Sequence, residues 1–341
     1  MRRARVLEGA TRCRKCRILS IVTTSYLTAC LLVGTLIPVA SGQTYPFRPV
    51  KIVVPYGAGG IADVTMRLAA QKMSSNLGKQ FVIENRPGAG GAVALKAVAS
   101  SAPDGHTLTM IGGGLTIAKA LFKSLPYDLE ADFTPISTTA FYGLLVAVRG
   151  DSPLKSVKDI LEAVKANPGK LNFGSINVGS TQHMSAELFR ALAKIDVAIV
   201  PYKTSPELLT ALLRGDIDVG FEYDAALSSA LQDKRIVPVA FTGQQRAAHL
   251  PDVPTINESG LAGYEAVSWN GLAAPVRTPA HIVATLNKAV VQAVAEPDVR
   301  AATAKFGMES RGSSVEELQT RIKSDAAKWA DIIAKAGIEK Q

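Results

Sequence analysis

The sequence predicts an α/β protein of two lobes with a cleft between them. From residue 45 onward, strand-like and helix-like stretches alternate, which is typical of parallel sheets flanked by helices. The chain has 341 residues, enough for two domains with full cores, and no low-complexity linker separates its two similar halves. We therefore expect a mostly parallel sheet in each lobe, two or more crossings between the lobes, and a hinge.

The elements follow from hydrophobic periodicity and from breaker residues. The predicted helices cover residues 92–99, 157–166, 181–192 and 207–213, and three further segments after residue 279. Pro297 opens the second of these three, and serines 313 and 314 cap the third. The predicted strands cover residues 50–54, 81–84, 107–111, 143–148, 171–175, 197–200, 217–221 and 237–241.

Residues 1–42 predict a secretory signal peptide. Seven Lys or Arg and one Glu give this segment +6 of the formal net charge of +9. An uncharged, mostly apolar run over residues 18–40 follows the basic region, and we expect cleavage before Gln43. An uncleaved membrane anchor and lipid attachment at Cys30 are the alternatives. The rest of the chain carries only +3, which gives little electrostatic support for nucleic-acid binding.

The sequence shows no pattern of a metal or catalytic site. All three cysteines, Cys13, Cys16 and Cys30, lie in the leader, so the mature chain would have no disulfide and no thiolate metal site. The four histidines lack the spacings of a zinc site, and no serine lies in a G-x-S-x-G motif. We predict no catalytic residue, no metal and no cofactor.

Residues 50–67 (VKIVVPYGAGGIADVTMR) predict a strand, a glycine turn and the start of a helix. This arrangement aims free backbone N–H groups and the positive end of a helix dipole at one point, which is a site for an anion. A plain turn that binds nothing is the alternative. The spacing of Gly57, Gly59 and Gly60 lacks the third glycine of the dinucleotide fingerprint.

A second polar turn and a pair of acids are predicted at the same rim. Residues 174–183 (GSINVGSTQH) end a strand in small polar residues, with Ser180 or Thr181 at a helix N-cap. Glu222, Tyr223 and Asp224 follow another strand, where they could bind a ligand hydroxyl or ammonium, or cap the next helix. Ligands of open α/β sheets collect beyond the carboxyl ends of the strands, so the sequence favours a shared anion pocket over ordinary capping.

From residue 45 to about residue 337 the chain resembles the tripartite tricarboxylate transporter receptors, the periplasmic Bug-type solute-binding proteins. The matching segments, in chain order, are 45–49 (YPFRP), 54–60 (VPYGAGG) with Asp63, 84–91 (ENRPGAGG), 102–108 (APDGHTL), 125–128 (LPYD), 166–172 (ANPGKLN), 200–203 (VPYK), 250–255 (LPDVPT) and 268–271 (SWNG).

The resemblance implies a type II periplasmic-binding-protein-like fold that closes over a small organic carboxylate and delivers it to membrane transporter subunits. It implies a periplasmic, non-enzymatic monomer. Its first lobe would span residues 43–143, the second 144–243, and residues 244–341 would return to the first. An NAD(P)-dependent oxidoreductase using residues 57–60, or a ligand-sensing receptor for signalling, are the alternatives.

The resemblance also implies which residues bind the ligand. In the family, backbone groups of the first glycine turn hold one carboxylate, partly through ordered water, and the second-lobe loop adds polar contacts. The ligand-binding residues predicted from the motifs and the resemblance are Ala58, Gly59, Gly60, Ile61, Asp63, Ser175, Asn177, Gly179, Ser180, Thr181, Gln182, His183, Glu222 and Tyr223. Glu222-Tyr223 stands where the family often has Asp-Asn, and Asn270 where it has an apolar or aromatic residue. The carboxylate clamp is therefore expected to be intact and the distal pocket altered.

Overall fold

The computed structural model describes residues 44–88 and 91–341. The predicted signal peptide, its cleavage site and Cys30 lie outside these residues. The strands are β1 (Val50–Val54), β2 (Phe81–Asn85), β3 (Thr107–Gly112), β4 (Phe133–Tyr142), β5 (Leu145–Arg149), β6 (Asn172–Ile176), β7 (Ala198–Tyr202), β8 (Val219–Glu222), β9 (Ile236–Phe241), β10 (Ser268–Pro275) and β11 (Glu309–Ser310). The helices are α1 (Ile61–Leu77), α2 (Ala92–Ala99), α3 (Gly113–Leu121), α4 (Val157–Ala166), α5 (Thr181–Ala193), α6 (Ser205–Arg214), α7 (Asp224–Gln232), α8 (Ala280–Ala295), α9 (Pro297–Ala304) and α10 (Val315–Ala336).

The strands form two sheets, which confirms the two-lobed α/β fold. The first sheet has the order β11-β4-β10-β3-β1-β2, and the second has the order β7-β6-β8-β5-β9. The sheets are mixed rather than mostly parallel. In the first sheet β1 is parallel to β2 and β3, but β10 is antiparallel to both of its neighbours. Strand β4 is the last strand before the chain crosses to the second lobe, and β10 is the first strand after the chain returns. Because β10 lies next to β4, the two strands run in opposite directions.

Helices cover both faces of each sheet and bury its apolar side chains. On one face of the first sheet, Met66 and Met73 of α1 pack with Leu286 and Val290 of α8. On one face of the second sheet, α4 and α5 supply a core that includes Phe189. Burial of this apolar surface is the main favourable contribution to the stability of each lobe.

The chain crosses between the two sheets at residues 143–144, between β4 and β5, and again at residues 242–267, between β9 and β10. Hydrogen bonds of Thr242 connect these two crossings. Its hydroxyl accepts a hydrogen bond from the Leu144 N–H at 2.7 Å and donates to the Ala266 carbonyl at 2.8 Å. Its own N–H donates to the Leu144 carbonyl at 3.0 Å. Thr242 is fully buried, so both crossings pass through one hydrogen-bonded joint.

The return segment packs on both lobes. Ile256 and Tyr264, which the prediction placed with the first lobe, lie in the core of the second. Helix α10 places Ile322 in a first-lobe core and Trp329 in the second-lobe core. The lobe boundaries stay predictions. Among the described residues, no helix combines the length and the apolarity that a membrane crossing needs.

Candidate functional site

The glycine turn between β1 and α1 is open to solvent. Residues 57–60 are exposed, and Gly59 has a φ of +82°, a backbone conformation that side chains other than that of glycine rarely adopt. Gly60 is the N-cap of α1, with extended backbone and no side-chain cap. The first hydrogen bond of the helix runs from the Val64 N–H to the Gly60 carbonyl at 3.0 Å. The N–H groups of the first turn are therefore free of a capping side chain and available to an anion.

Asp63 braces this turn from behind. One carboxylate oxygen accepts the Gly59 N–H and the Arg67 Nε–H, both at 2.9 Å, and the other accepts the Asn85 amide at 2.9 Å. These hydrogen bonds lower the pKa of Asp63 to about 2, and the bond from Arg67 has the largest effect. The carboxylate is buried and ionised, and it fixes the turn. The ligand role predicted for Asp63 stays a prediction.

Glu222 and Gln182 form the facing wall in the second lobe. Glu222 is fully buried at the end of β8, and its Oε1 accepts from Gln182 Nε2 at 3.0 Å and from the Tyr223 N–H at 2.8 Å. Its Oε2 has no hydrogen-bond partner among the described residues. Burial raises the pKa of this carboxyl group.

Tyrosines from both lobes meet beside this wall. Tyr142, which ends β4, lies edge-on to Tyr223 with ring centroids 5.4 Å apart. The Tyr142 hydroxyl donates to Asn270 Oδ1 at 3.0 Å, and the Asn270 amide donates to Thr65 Oγ1 at 2.8 Å. The hydrogen bonds thus lead from the second lobe's aromatic contact to helix α1 of the first lobe. Burial raises the pKa of Tyr142 to about 12, so its hydroxyl stays protonated.

A cavity of about 270 Å³ lies between the glycine turn and the second-lobe wall. Its lining residues from the first lobe are Gly59, Gly60, Ile61, Val64, Phe306 and Met308, and those from the second lobe are Ser205, Glu222, Tyr223, Ala225 and Ala226. Five of the predicted ligand-binding residues therefore share one cavity: Gly59, Gly60, Ile61, Glu222 and Tyr223. The volume lies just below the range of about 300–1,000 Å³ that is typical of ligand pockets, so it limits the cavity to a small molecule.

Two more predicted residues stand directly behind this wall. Gln182 bonds the Glu222 carboxylate, and the Thr181 hydroxyl lies beside the Tyr223 hydroxyl. Both begin helix α5, whose N-cap is Ser180, one of the two residues that the sequence predicted for it: the Ser180 hydroxyl accepts the His183 N–H at 3.0 Å. Helix α5 therefore orients the wall through its first turn.

The other predicted residues lie away from the cavity lining. Ala58 and Asn177 are exposed, and the Asn177 amide contacts the Lys203 carbonyl at 3.4 Å. An added Cβ at Gly179 would lie 2.3 Å from Leu121 of the first lobe, so this glycine permits a close approach of the lobes. Ser175 is buried, and its hydroxyl has no hydrogen-bond partner among the described residues. A ligand role for these residues stays a prediction.

The His183 side chain extends along its own helix. Its Nε2 lies 3.9 Å from Oε1 of Glu187, which in turn pairs with Arg190. Burial, followed by the charge of Arg190, lowers the pKa of His183 to about 4, so the ring is neutral. The ligand role predicted for His183 also stays a prediction.

Six residues that line the cavity were not predicted from the sequence as site residues: Val64, Ser205, Ala225, Ala226, Phe306 and Met308. Ser205 begins helix α6 after the N-cap Thr204, a start that the alternation of strands and helices could have located. Phe306 and Met308 come from the return segment, more than 240 residues from the glycine turn, and no local pattern marks them. Among the described residues, no cluster of His, Cys, Asp and Glu could hold a metal ion.

Comparison with known proteins identifies the family. Residues 65–338 match the profile of the tripartite tricarboxylate transporter family receptor, TctC. The protein BugT of Bordetella pertussis is 29% identical over 323 residues, covering 94% of this chain and 98% of BugT. An R. palustris protein solved with adipate is 33% identical with a TM-score of 0.73, covering 86% of this chain and 99% of that one.

A second solved structure, MatC from Rhodopseudomonas palustris with bound malate, is 33% identical with a TM-score of 0.69. It covers 85% of this chain and 100% of its own. The matched family is one of receptors rather than of enzymes, so the oxidoreductase alternative has no support. The chain belongs to the tripartite tricarboxylate transporter receptor family.

Proposed function

We propose that this protein is a periplasmic solute-binding protein that captures a small organic carboxylate and delivers it to a tripartite tricarboxylate-type membrane transporter. The observation that carries the proposal is the shared cavity, in which the uncapped start of α1 faces a polar wall from the other lobe. Relatives solved with adipate and with malate support a carboxylate ligand.

The proposed clamp for one carboxylate is the backbone of residues 58–61. The first-turn N–H groups and the helix dipole would supply donors and positive potential without a cationic side chain. None of the described residues that line the cavity is Lys or Arg. The anion would therefore be held by charge-assisted hydrogen bonds, each contributing about 1.5–3 kcal/mol.

Ligand capture would bring the two lobes together around the joint at Thr242. Both crossings meet there, and the cavity lining comes from both sides of it. A ligand that touches both lobes binds the closed arrangement better and shifts the population toward it. Small-angle X-ray scattering at saturating ligand should give a smaller radius of gyration than without ligand. An unchanged radius would contradict closure.

Mass spectrometry of ligand carried through native purification tests the function itself. We expect a small carboxylate, confirmed by a thermal-shift screen of carboxylates against the purified protein. The variant Gly59→Val should carry less ligand, because its turn cannot keep the same backbone. A wild-type protein that carries no carboxylate and is stabilised by none in the screen would contradict the proposal.

A further inference from the structure

The Glu222 carboxylate has acceptor capacity that the protein does not use. The residue is fully buried, and two donors, Gln182 and the Tyr223 N–H, both bond Oε1. The Ser205 hydroxyl stands beside the carboxyl group, yet Oε2 lacks a hydrogen-bond partner of good geometry among the described residues. An ionised carboxylate can accept about four hydrogen bonds, so half of this group is unsatisfied.

No cation in the cavity lining offsets this buried acid. The other described lining residues are apolar or neutral, among them Val64, Ala225, Ala226 and Met308. Burying a carboxylate without a charged partner is costly, and burial raises the pKa of Glu222 accordingly. The Glu222 carboxyl group lines the cavity, and its Oε2 is unpaired among the described residues. This oxygen could therefore accept a hydrogen bond from a donor group of a ligand.

The cavity is therefore polarised from one lobe to the other. The glycine turn presents N–H donors and a positive helix end, whereas the opposite lining includes Glu222, whose buried Oε2 has no hydrogen-bond partner among the described residues. A dicarboxylate complements the first end and opposes the second, because two carboxylates in one dry site repel each other. A molecule with a carboxylate at one end and an N–H donor at the other complements both ends.

We propose that the ligand is an amino carboxylate whose ammonium group donates to Oε2 of Glu222 while its carboxylate is held at the glycine turn. An ammonium is preferred over an amide or a hydroxyl because it neutralises the buried charge as well as satisfying the oxygen. This inference rests on the proposed function, since it assumes that a carboxylate occupies the turn.

Two matched series of compounds test the inference by calorimetric titration of the whole exported protein. The six-carbon series is hexanoate, adipate, adipamate and 6-aminohexanoate, and the four-carbon series is butyrate, succinate, succinamate and 4-aminobutyrate. Within the series that fits the cavity, only the far end changes. We expect the amino compound to bind at least ~10-fold more tightly than the dicarboxylate, about 1.4 kcal/mol, with the amide between them.

Glu222→Gln assigns the preference to this residue. The variant keeps the shape and the Gln182 contact but replaces an anionic oxygen by a donor, so the preference for the amino compound should disappear and the dicarboxylate should gain. Glu162→Gln on the surface of α4 is the matched control and should leave the ranking unchanged.

The outcomes separate the two proposals. Tightest binding of the dicarboxylate to the wild-type protein, with no change in Glu222→Gln, would overturn the inference and leave the proposed function standing. Binding of no member of either series, while the thermal-shift screen finds another carboxylate without an amino group, would overturn the inference alone; a screen that finds no carboxylate at all would overturn both proposals. If Glu222→Gln fails to fold, the wild-type ranking alone decides.

Discussion

The two walls of the cavity are built from different parts of the chain's chemistry. The first-lobe wall is backbone: exposed glycines and the uncapped start of α1, braced by Asp63. The second-lobe wall is side chain: a buried glutamate, held by Gln182 and next to Tyr223. Backbone donors recognise a carboxylate whatever the neighbouring side chains are, whereas a side-chain acceptor is changed by one substitution. We therefore expect the first wall to set the class of ligand and the second wall to select among its members.

The largest expected effect comes from changing the backbone wall. Gly59→Val should weaken ligand binding at least ~10-fold, about 1.4 kcal/mol, because a β-branched residue does not accept a φ of +82°. Gly78→Val is the matched control: it imposes the same kind of strain at the end of α1, with φ of +67°, away from the cavity. Gly60 has an extended backbone that any residue can adopt, so Gly60→Val tests only whether an added side chain crowds the ligand.

Titration calorimetry with the tightest-binding carboxylate and thermal melts of each variant provide the comparison. If Gly59→Val and Gly60→Val bind as tightly as Gly78→Val while melting normally, the carboxylate is not held at this turn.

The stabilising contribution of Asp63, which braces the glycine turn, should disappear at low pH. Asp63→Asn should lower the free energy of unfolding by about 2 kcal/mol at pH 7, since it removes charge-assisted bonds from a buried carboxylate. The folded-state pKa of about 2 lies below the ordinary 3.8, so this stabilisation is present above pH 4 and is lost as the pH falls toward 2. Urea unfolding from pH 2 to 7 should show the gap between wild type and variant closing over that range. A gap independent of pH would contradict the role given to the ionised carboxylate.

Glu222 in the side-chain wall should change stability with pH in the opposite direction to Asp63. Burial raises the folded-state pKa of Glu222 above its ordinary 4.5, so wild-type stability falls as the pH rises through that value. Glu222→Gln removes this cost and should raise the melting temperature of the ligand-free protein by about 2–4 °C at pH 7.5, and by less at pH 4.5. Calorimetric melts at the two pH values measure the difference. A lower melting temperature at pH 7.5 would show that the buried charge is already compensated.

The smallest effect is expected one layer behind the wall. Thr181→Ala removes the hydroxyl that lies beside the Tyr223 hydroxyl and should weaken ligand binding by about 0.5–1.5 kcal/mol. Lys323→Ala on the exposed side of α10 is the control and should change nothing. Titration of both variants beside Gly60→Val ranks the three. A Thr181→Ala loss larger than that of Gly60→Val would place the main recognition in the second lobe.

The sequence predicted the backbone wall better than the side-chain wall. A strand, a glycine turn and a helix start are contiguous, so their local signals locate the turn, and the predicted helices 92–99 and 157–166 match α2 and α4. Local signals also predicted an N-cap at Ser180 or Thr181 and capping by serines 313 and 314, and the structure has the caps at Ser180 and Ser314.

Prediction was weaker where tertiary contacts override local pattern. Strand β4 was missed because its run of Ser and Thr reads as polar, although Ser137 and Thr138 are buried and hydrogen-bonded to backbone groups. Helix α3 was missed because it begins in glycines. The contact between Glu222 and Gln182 joins residues 40 apart, and no local signal encodes it.

A crystal structure of the protein with the tightest-binding compound of the matched series tests the division of labour between the two walls most directly. We predict a carboxylate oxygen within about 3.2 Å of N–H groups at the start of α1, and the far end of the ligand against Oε2 of Glu222. A ligand lying with its carboxylate on the second-lobe wall, or outside the cavity between the lobes, would contradict this assignment.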